Sequence, residues 1–352
     1  MPSGKPVKTM SDPVTTFEAR FASMIGADYA IAVNSGTSAL HCALEALEVR
    51  GGEVIMPALG PGLVAFPILA AGAAPVFADV DPVTQLISRQ TVAPLVNLRT
   101  RAIIAVALHG LSTDVHDLKK LRLPIIEDCA QALLARYKDG FAGTFGTIGC
   151  YSFEKKKHLT TGSEGGMIVT DDAALAKAAR AFGGLGYRHL DAGGGGTRVP
   201  VIDPDCARFD QLGLNYRLSE VQADIGLQKL KTAAAAVSLR QEIGALWEQT
   251  IGERLQVHNY SADHAFYTAA WPYPGNWKKL HQRFALAGGD GFYAAPLVGY
   301  NEPALKHYAS HTPVAANLQR SLVVLKTHYQ WPEAVRQAKI FSECLQSSSV
   351  SA

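Results

Sequence analysis

Apolar residues in the first half of the chain follow two alternating patterns. Short runs that are apolar throughout indicate strands covered on both faces. Between these runs apolar residues recur at helical spacing, as at Leu40, Leu44 and Leu47. We predict strands at Tyr29–Val33, Glu53–Pro57, Ala74–Val80, Arg101–Val106, Leu123–Asp128, Ile148–Phe153 and Gly166–Thr170. Strands that alternate with helices predict a three-layer α/β/α domain with a mixed, mostly parallel sheet.

The second half of the chain predicts a smaller α+β domain. Residues 171–182 have a helical pattern, and residues 183–208 are glycine-rich and predict a mobile loop. One long helical pattern covers residues 219–255, and residues 292–296 predict a further strand. We therefore divide the chain into an N-terminal arm (1–16), a large domain (17–235), a small C-terminal domain (236–346) and a flexible polar tail (347–352).

Composition and charge exclude several classes of protein. The chain has 352 residues, of which 48% are hydrophobic and 18% charged, so a large core can form. Its 33 Lys and Arg residues nearly balance 31 Asp and Glu residues, which argues against a nucleic-acid-binding surface. Residues 1–16 contain no secretory signal, and prolines interrupt the apolar segment 62–78, which is too short for a membrane-spanning helix. We expect a cytoplasmic protein with no membrane contact.

The cysteine pattern predicts buried, reduced thiols. The five cysteines are odd in number and scattered, and no two of them form a CxxC pair. This spacing favours small core residues in a reducing compartment over disulfides or metal ligands. No metal site is predicted.

The segment Ser35–Ser38 lies between a predicted strand and a predicted helix. The free N–H groups and the positive dipole end of a helix start suit a phosphate group. The same segment also fits a purely structural helix cap, since Ser and Thr are common there. Both interpretations remain open from these residues alone.

Asp128 ends an apolar strand, at the position where open α/β sheets bind their ligands. An anion there can keep a bound pyridine ring protonated, which makes the ring an electron sink. The alternative role for Asp128 is a helix N-cap. Gln131, three residues later, fits either a capping partner or a hydrogen-bond donor to a ring hydroxyl.

Three consecutive lysines precede a Thr- and Gly-rich turn. Lys155 and Lys156 fit a solvated loop. Lys157 stands next to the turn that leads back into an apolar strand, so we expect it to be partly buried. A lysine that forms a Schiff base needs a neutral amine near pH 7, several units below the ~10.4 of a free side chain. Burial beside a cationic ligand supplies that shift.

Taken in order, these segments resemble the DegT/StrS family of sugar aminotransferases, built on the pyridoxal 5'-phosphate (PLP) transferase fold-type I scaffold. The resemblance extends from about Phe17 to Leu230. Its specificity comes from the order and spacing of the motifs taken together. Those motifs are Phe17-Glu18, residues 34–40, residues 75–82, residues 126–132, Ser152-Phe153, Lys157, Glu164-Gly165-Gly166 and Asn215-Tyr216-Arg217.

The resemblance implies a role for each matched residue. Lys157 matches the lysine that holds PLP as a Schiff base, and Asp128 the carboxylate that pairs with the ring nitrogen; these are the expected catalytic residues. The residues expected to bind the cofactor are Gly36, Thr37, Ser38, Asp128, Gln131, Ser152, Lys157 and Asn215. In the family, the residue that matches Asn215 reaches across to the PLP phosphate in the active site of the second subunit. This implies a homodimer with shared active sites.

The implied reaction is a ping-pong transamination. An amino donor, usually glutamate in this family, leaves its amine on the cofactor, and a keto sugar then takes it up. Family members typically act on nucleotide-linked keto sugars, and some act on cyclitols. Lys157 would move the proton as general acid and base.

This sequence departs from the family at the ring-stacking position and at its two ends. Pro61 stands where the family usually has an aromatic residue, and His109 is the residue that could approach the ring instead. Sixteen residues precede Phe17, whereas the family usually has a longer leading segment, and the C-terminal domain matches poorly.

Three alternatives accompany the aminotransferase hypothesis. A non-catalytic paralogue, acting as a partner or regulatory subunit, would account for the missing aromatic residue. A sugar dehydratase of the same family carries His in place of the lysine, and Lys157-His158 resembles its paired histidines with the first one changed. The amine at Lys157 favours transamination. A nucleotide-binding α/β enzyme is disfavoured because the chain has neither a GxGxxG motif after a strand nor a P-loop.

Overall fold

The structure, a computed structural model, describes residues 12–187, 205, 207–209, 211–252, 262–293 and 296–349. The strands of these residues are β1 Tyr29–Val33, β2 Glu53–Pro57, β3 Leu59–Gly60, β4 Ala74–Ala78, β5 Thr100–Val106, β6 Ile125–Asp128, β7 Arg136–Tyr137, β8 Gly140–Phe141, β9 Ile148–Ser152, β10 Gly166–Thr170, β11 Ala262–Asp263, β12 Thr268–Pro272, β13 Leu297–Val298 and β14 Leu322–Lys326. The helices are α1 Pro13–Ile25, α2 Gly36–Ala46, α3 Ala65–Ala70, α4 Arg89–Val92, α5 Val115–Leu118, α6 Ala173–Gly183, α7 Glu220–Leu230, α8 Ala233–Ile251, α9 Trp277–Leu286, α10 Pro313–Ser321 and α11 Trp331–Ser349.

The central sheet follows the order β1-β10-β9-β6-β5-β2-β4. Strand β10 is antiparallel to both of its neighbours, and the remaining pairs are parallel. The carboxyl ends of β1, β9, β6, β5 and β2 therefore meet at one edge, where β10 begins. The predicted mixed, mostly parallel sheet is confirmed.

The sheet is covered on both faces, as apolar strands require. Along β10, Ile168 packs into one core, and Met167 and Val169 pack into another. The first core lies under α2, α3 and α6, and the second lies under α1 and α7. The two cores confirm the predicted α/β/α layers.

The predicted long helix over residues 219–255 is wrong, because two helices replace it. Helix α7 ends at Leu230 and α8 begins at Ala233. Between them Thr232 leaves helical geometry (φ −116°, ψ 7°), and both its N–H and its hydroxyl bond the Lys229 carbonyl, three residues back. Apolar spacing alone does not predict a short break of this kind between two helices.

A third core belongs to the C-terminal part of the chain. It joins α8, α9 and α11 to the antiparallel pair β12–β14, with Trp247, Phe284 and Phe341 at its centre. Helix α8 connects the cores, since Val237 packs against the large-domain core and Ile243 against the third core. The division at residue 235 stays a prediction.

Several predicted boundaries differ from the structure. Strand β4 ends at Ala78 instead of Val80, and β6 begins at Ile125 instead of Leu123. Helix α1 begins at Pro13, inside the segment predicted as an arm, and α11 continues through Ser349, into the predicted tail. Of the strand predicted at residues 292–296, Phe292 forms an isolated bridge with Leu325, and residues 294–295 lie outside the described part. Most of the predicted loop 183–208 also lies outside it.

Buried free cysteines occur at Cys42, Cys129, Cys150 and Cys344, and Cys206 lies outside the described residues. Within the described ranges no cluster of His, Cys, Asp and Glu side chains could hold a metal ion. None of the helices in that part of the chain has the length and apolar character needed to cross a membrane.

One buried ion pair ties three elements of the large domain together. Glu18 in α1 receives two hydrogen bonds from Arg180 in α6, at 3.0 and 2.9 Å. Glu18 also accepts the Ala32 N–H of β1 at 2.8 Å, and Arg180 donates to the Ala30 carbonyl at 3.2 Å. Each polar group therefore has the partners that a buried charge needs.

Arg180→Met should destabilise the protein by about 3–5 kcal/mol, because it leaves the Glu18 carboxylate buried without its cation. The free energy of unfolding from urea titration measures the effect. Arg336→Met, which removes an exposed pair with Glu333, is the control and should unfold like the wild type. Equal free energies of unfolding for the two variants would contradict this role of Arg180.

Candidate active site

A cavity of about 600 Å³ opens at the sheet edge where β1, β5, β6 and β9 end. This is the edge at which open α/β sheets bind ligands. Six of the residues predicted from the sequence line it: Gly36, Thr37, Asp128, Gln131, Ser152 and Lys157. Residues up to 121 positions apart in the sequence thus share one cavity.

Helix α2 points its N-terminus at this cavity. Ser35 caps the helix, its hydroxyl accepting the Ser38 N–H at 3.0 Å, and lies on the cavity wall. Gly36 is required by close packing, because a Cβ there would lie 2.8 Å from the Ser152 Cβ. The phosphate-binding and capping interpretations are therefore compatible: Ser35 caps, and Gly36 and Thr37 line the cavity.

Ser38 and Asn215 do not line the cavity. The Ser38 hydroxyl donates to the Asn34 side chain at 2.7 Å, inside the first turn of α2. Asn215 is exposed, and its side-chain oxygen accepts a hydrogen bond from Arg217 at 3.0 Å. Their roles in cofactor binding stay predictions, and Asn215 has no contact with the cavity of its own chain.

Asp128 is buried at the end of β6 and faces the cavity. Burial raises the pKa of its carboxyl group, and the Ala130 N–H at 3.0 Å and the Lys157 amine oppose that shift. The carboxylate of Glu127, the residue before Asp128, accepts hydrogen bonds from the backbone N–H groups of Gly143 and Phe145 at 2.9 and 2.8 Å. Glu127 thereby attaches a neighbouring loop to the strand that positions Asp128.

Gln131 and His109 form a second side of the cavity. The Gln131 side-chain oxygen accepts the His109 N–H at 2.7 Å, which leaves its amide group to act as a donor. His109 adopts a left-handed conformation (φ 62°), and its Nδ1 lies 2.7 Å from the Thr268 hydroxyl. Burial lowers the pKa of His109 to about 3, so its ring is neutral.

The lysine loop holds Lys157 in place through backbone hydrogen bonds. The Phe153 N–H donates to Gly165, the Lys155 N–H to Ser163 and the Lys157 N–H to Glu154. Burial lowers the pKa of Lys157, opposed by Asp128 and Glu154. Lys155 and Lys156 are exposed, as the solvated-loop interpretation predicts.

Residues of the C-terminal part complete the cavity: the sequence placed Tyr293 in a strand on the substrate side without assigning it any chemistry, and it gave no sign of Tyr267 or Thr268. The Lys157 Nζ lies 4.4 Å from the ring centroid of Tyr267. The Tyr267 hydroxyl lies 3.0 Å from that of Tyr293, and both rings line the cavity with Thr268. No motif marks these residues, because only the folded chain brings β12 next to the lysine loop.

The loop after β2 reaches the cavity at Gly60, Pro61, Gly62 and Leu63. Strand β3 of this loop pairs with β13, which links it to the C-terminal part. Pro61 therefore lines the cavity, and its place at the ring-stacking position stays a prediction. His109 also lines the cavity, as the sequence suggested.

Comparison with known proteins identifies the family. The family model described as the DegT/DnrJ/EryC1/StrS aminotransferase family matches residues 4–330. The chain belongs to this family. The match corrects one expectation, since it extends well into the C-terminal region that the sequence analysis considered a poor match.

Individual relatives agree with this assignment. GDP-perosamine synthase of Escherichia coli O157:H7 is 34% identical over 268 residues, which are 73% of this chain and 68% of the relative. UDP-2-acetamido-2-deoxy-3-oxo-D-glucuronate aminotransferase of Pseudomonas aeruginosa is 30% identical over 330 residues, or 90% and 85% of the two chains. The solved aminotransferase of Psychrobacter cryohalolentis has a TM-score of 0.85 at 26% identity, covering 97% of this chain and 92% of that one. The predicted fold and enzyme class, a sugar aminotransferase of PLP fold-type I, are confirmed.

Gly36→Ala should weaken PLP binding by about tenfold, since overpacking costs about 1–3 kcal/mol and displaces the start of α2 from Ser152. A spectrophotometric titration of the apoprotein with PLP measures the dissociation constant. Gly62→Ala is the matched control, because its added Cβ meets no atom closer than 3.4 Å. Equal dissociation constants for both variants would show that the close approach at Gly36 is unimportant.

Proposed function

We propose that the protein transfers the amino group of glutamate to a nucleotide-linked keto sugar in a ping-pong reaction. The observation that carries this proposal is the meeting of Lys157, Asp128 and the α2 N-terminus in one cavity of a chain from an aminotransferase family. Two relatives support the acceptor class, since their names refer to GDP- and UDP-linked sugars.

The residues of the cavity fit PLP. The N–H groups at the start of α2 would bind its phosphate, and the buried Asp128 carboxylate would hold a proton on its ring nitrogen. Lys157 has the lowered pKa that a covalent link through Nζ requires. When bound, PLP supplies an electron sink for charge that develops on the substrate carbon.

Lys157 is also the group that moves the proton. Its Nζ would take the proton from the substrate carbon as general base and deliver it, as general acid, to the C4′ carbon of PLP. Tyr267 restricts where the amine can go, because its ring lies 4.4 Å from Nζ. Thr268 and Tyr293 line the same side of the cavity.

His158 bears on the choice between transamination and dehydration. It is buried, and its Nε2 lies 2.9 Å from the Ala265 carbonyl. It does not line the cavity, whereas Lys157 does. Lys157, whose pKa is lowered by burial, is therefore the base available to a substrate, which favours transamination over the dehydratase alternative.

Lys157→Ala should abolish the first half-reaction, and Lys155→Ala should leave it unchanged because Lys155 is exposed. The measurement adds glutamate to the PLP form and follows the loss of its absorbance together with the appearance of 2-oxoglutarate. We expect a rate at least about a hundredfold lower for Lys157→Ala. Wild-type protein that stays colourless with added PLP would contradict the proposal and favour the non-catalytic paralogue.

We also propose a homodimer in which Asn215 acts in the partner's site. Asn215 is exposed, and the apolar side chains beside it are exposed too: Leu212 is 93% exposed and Val221 71%. An apolar surface of this kind is typical of a protein–protein interface. Its position next to Asn215 supports a contact through which that side chain reaches a second subunit.

Mixed dimers of Lys157→Ala and Asn215→Ala chains test this arrangement. If Asn215 serves the partner's site, each heterodimer contains one intact site and one with both changes. Two-fold symmetry and random pairing then predict roughly one quarter of wild-type activity in an equal mixture. If the mixture is as inactive as the separate variants, Asn215 does not act across the interface.

A further inference from the structure

Arg240 is a buried cation beside the cavity, with no assigned role so far. It lies in α8 and is 7% exposed. Within the described residues no carboxylate forms an ion pair with it. A buried charge without an opposite charge is costly, so its retention calls for another interaction. Burial lowers the pKa of Arg240 to about 10, and the guanidinium therefore stays charged near pH 7.

The hydrogen bonds of Arg240 go to two backbone carbonyls. Nη2 donates to the carbonyl of Lys156 at 2.7 Å, and Nη1 donates to the carbonyl of Tyr267 at 3.4 Å. The first carbonyl belongs to the peptide that leads into Lys157, and the second to the residue whose ring lies against Nζ. Arg240 therefore holds together the two segments that meet at the reactive amine.

The ring of Tyr267 lies close to both cations. The Lys157 Nζ is 4.4 Å from its centroid, and the Arg240 guanidinium carbon is 5.4 Å from it. Both distances are within the range of cation–π contacts. Because Arg240 cannot lose its charge near pH 7, a second positive charge on Lys157 is disfavoured at this short range.

The charged groups around Lys157 act in opposite directions. Asp128 at the end of β6 and the loop residues Glu154 and Glu164 favour the protonated amine. Burial and the Arg240 charge favour the neutral amine. His158 is buried and neutral, since its pKa is lowered by burial and by Arg240. Arg240 is the fixed cation that acts together with burial against these three carboxylates, and its effect is smaller than that of Asp128 or Glu154.

We propose that Arg240 is a positioning residue for Lys157, which fixes the Lys156 peptide and the Tyr267 ring beside the reactive amine. The proposal rests on the function proposed above, in which Lys157 must be a nucleophile. It adds a residue from α8 that belongs to none of the short motifs on which the sequence resemblance rests.

The test compares Arg240→Gln, which can keep a donor to Lys156 without the charge, with Arg240→Lys, which keeps the charge. Reductive methylation of the apoprotein at a series of pH values, read by peptide mass spectrometry, gives the pKa of the Lys157 amine without any cofactor. We expect that pKa to rise in Arg240→Gln, so that Lys157 reacts about tenfold more slowly at pH 7. Arg240→Lys should stay within about twofold of the wild type.

Lys156→Met is the matched control, because it removes an exposed cation from the neighbouring residue and should not change the profile. If Arg240→Gln does not fold, as judged by circular dichroism, Arg240→Met serves as the second neutral variant. A Lys157 profile that is the same in the wild type and in the neutral variant would overturn the proposal.

One further experiment on the wild-type protein distinguishes a failure of this proposal from a failure of the proposed function. Borohydride reduction of the wild type with PLP, followed by peptide mapping, shows which lysine holds the cofactor. A pyridoxyl group on a lysine other than Lys157 would contradict the proposed function, whatever Arg240 does. An adduct on Lys157 together with an unchanged profile in Arg240→Gln would overturn the role of Arg240 alone.

Discussion

The parallel run of strands through the centre of the sheet is the constraint on which the site depends. Because β1, β9, β6 and β5 end at one edge, the residues that follow them lie around a single cavity. The antiparallel β10 begins at the same edge, so the loop that carries Lys157 starts and ends there. Close packing sharpens this arrangement, since only a glycine at position 36 lets α2 approach Ser152. The catalytic geometry follows from strand direction.

Buried charge is the second constraint, and here the protein balances opposing effects. Desolvation favours the neutral forms of both Asp128 and Lys157, yet each group also favours the charged form of the other. The Ala130 N–H supports the carboxylate, and the Arg240 guanidinium favours the neutral amine. Transamination needs an ionised carboxyl group and a neutral amine in this cavity, and these opposing effects act on both groups. These opposing shifts are typical of functional sites.

Local sequence was sufficient for the large domain and for the residues next to its strand ends. Asp128 and Lys157 could be predicted because each one stands at an apolar run that defines the sheet, whereas Ser152 was expected only from the resemblance to the family. Tyr267 and Arg240 could not be predicted, since Tyr267 precedes β12, Arg240 lies in α8, and both reach Lys157 only through tertiary packing. The break at Thr232 was missed because apolar spacing continues through it. The placement of Asn215 remains a prediction, because it concerns a second chain.

A crystal structure of the protein grown with PLP tests the central claim most directly. We expect continuous electron density from the Lys157 Nζ to the cofactor, with the ring nitrogen at hydrogen-bonding distance from Asp128. The phosphate group should lie against the N–H groups at the start of α2. Density that joins the cofactor to another lysine, or a phosphate bound away from Gly36 and Thr37, would contradict it.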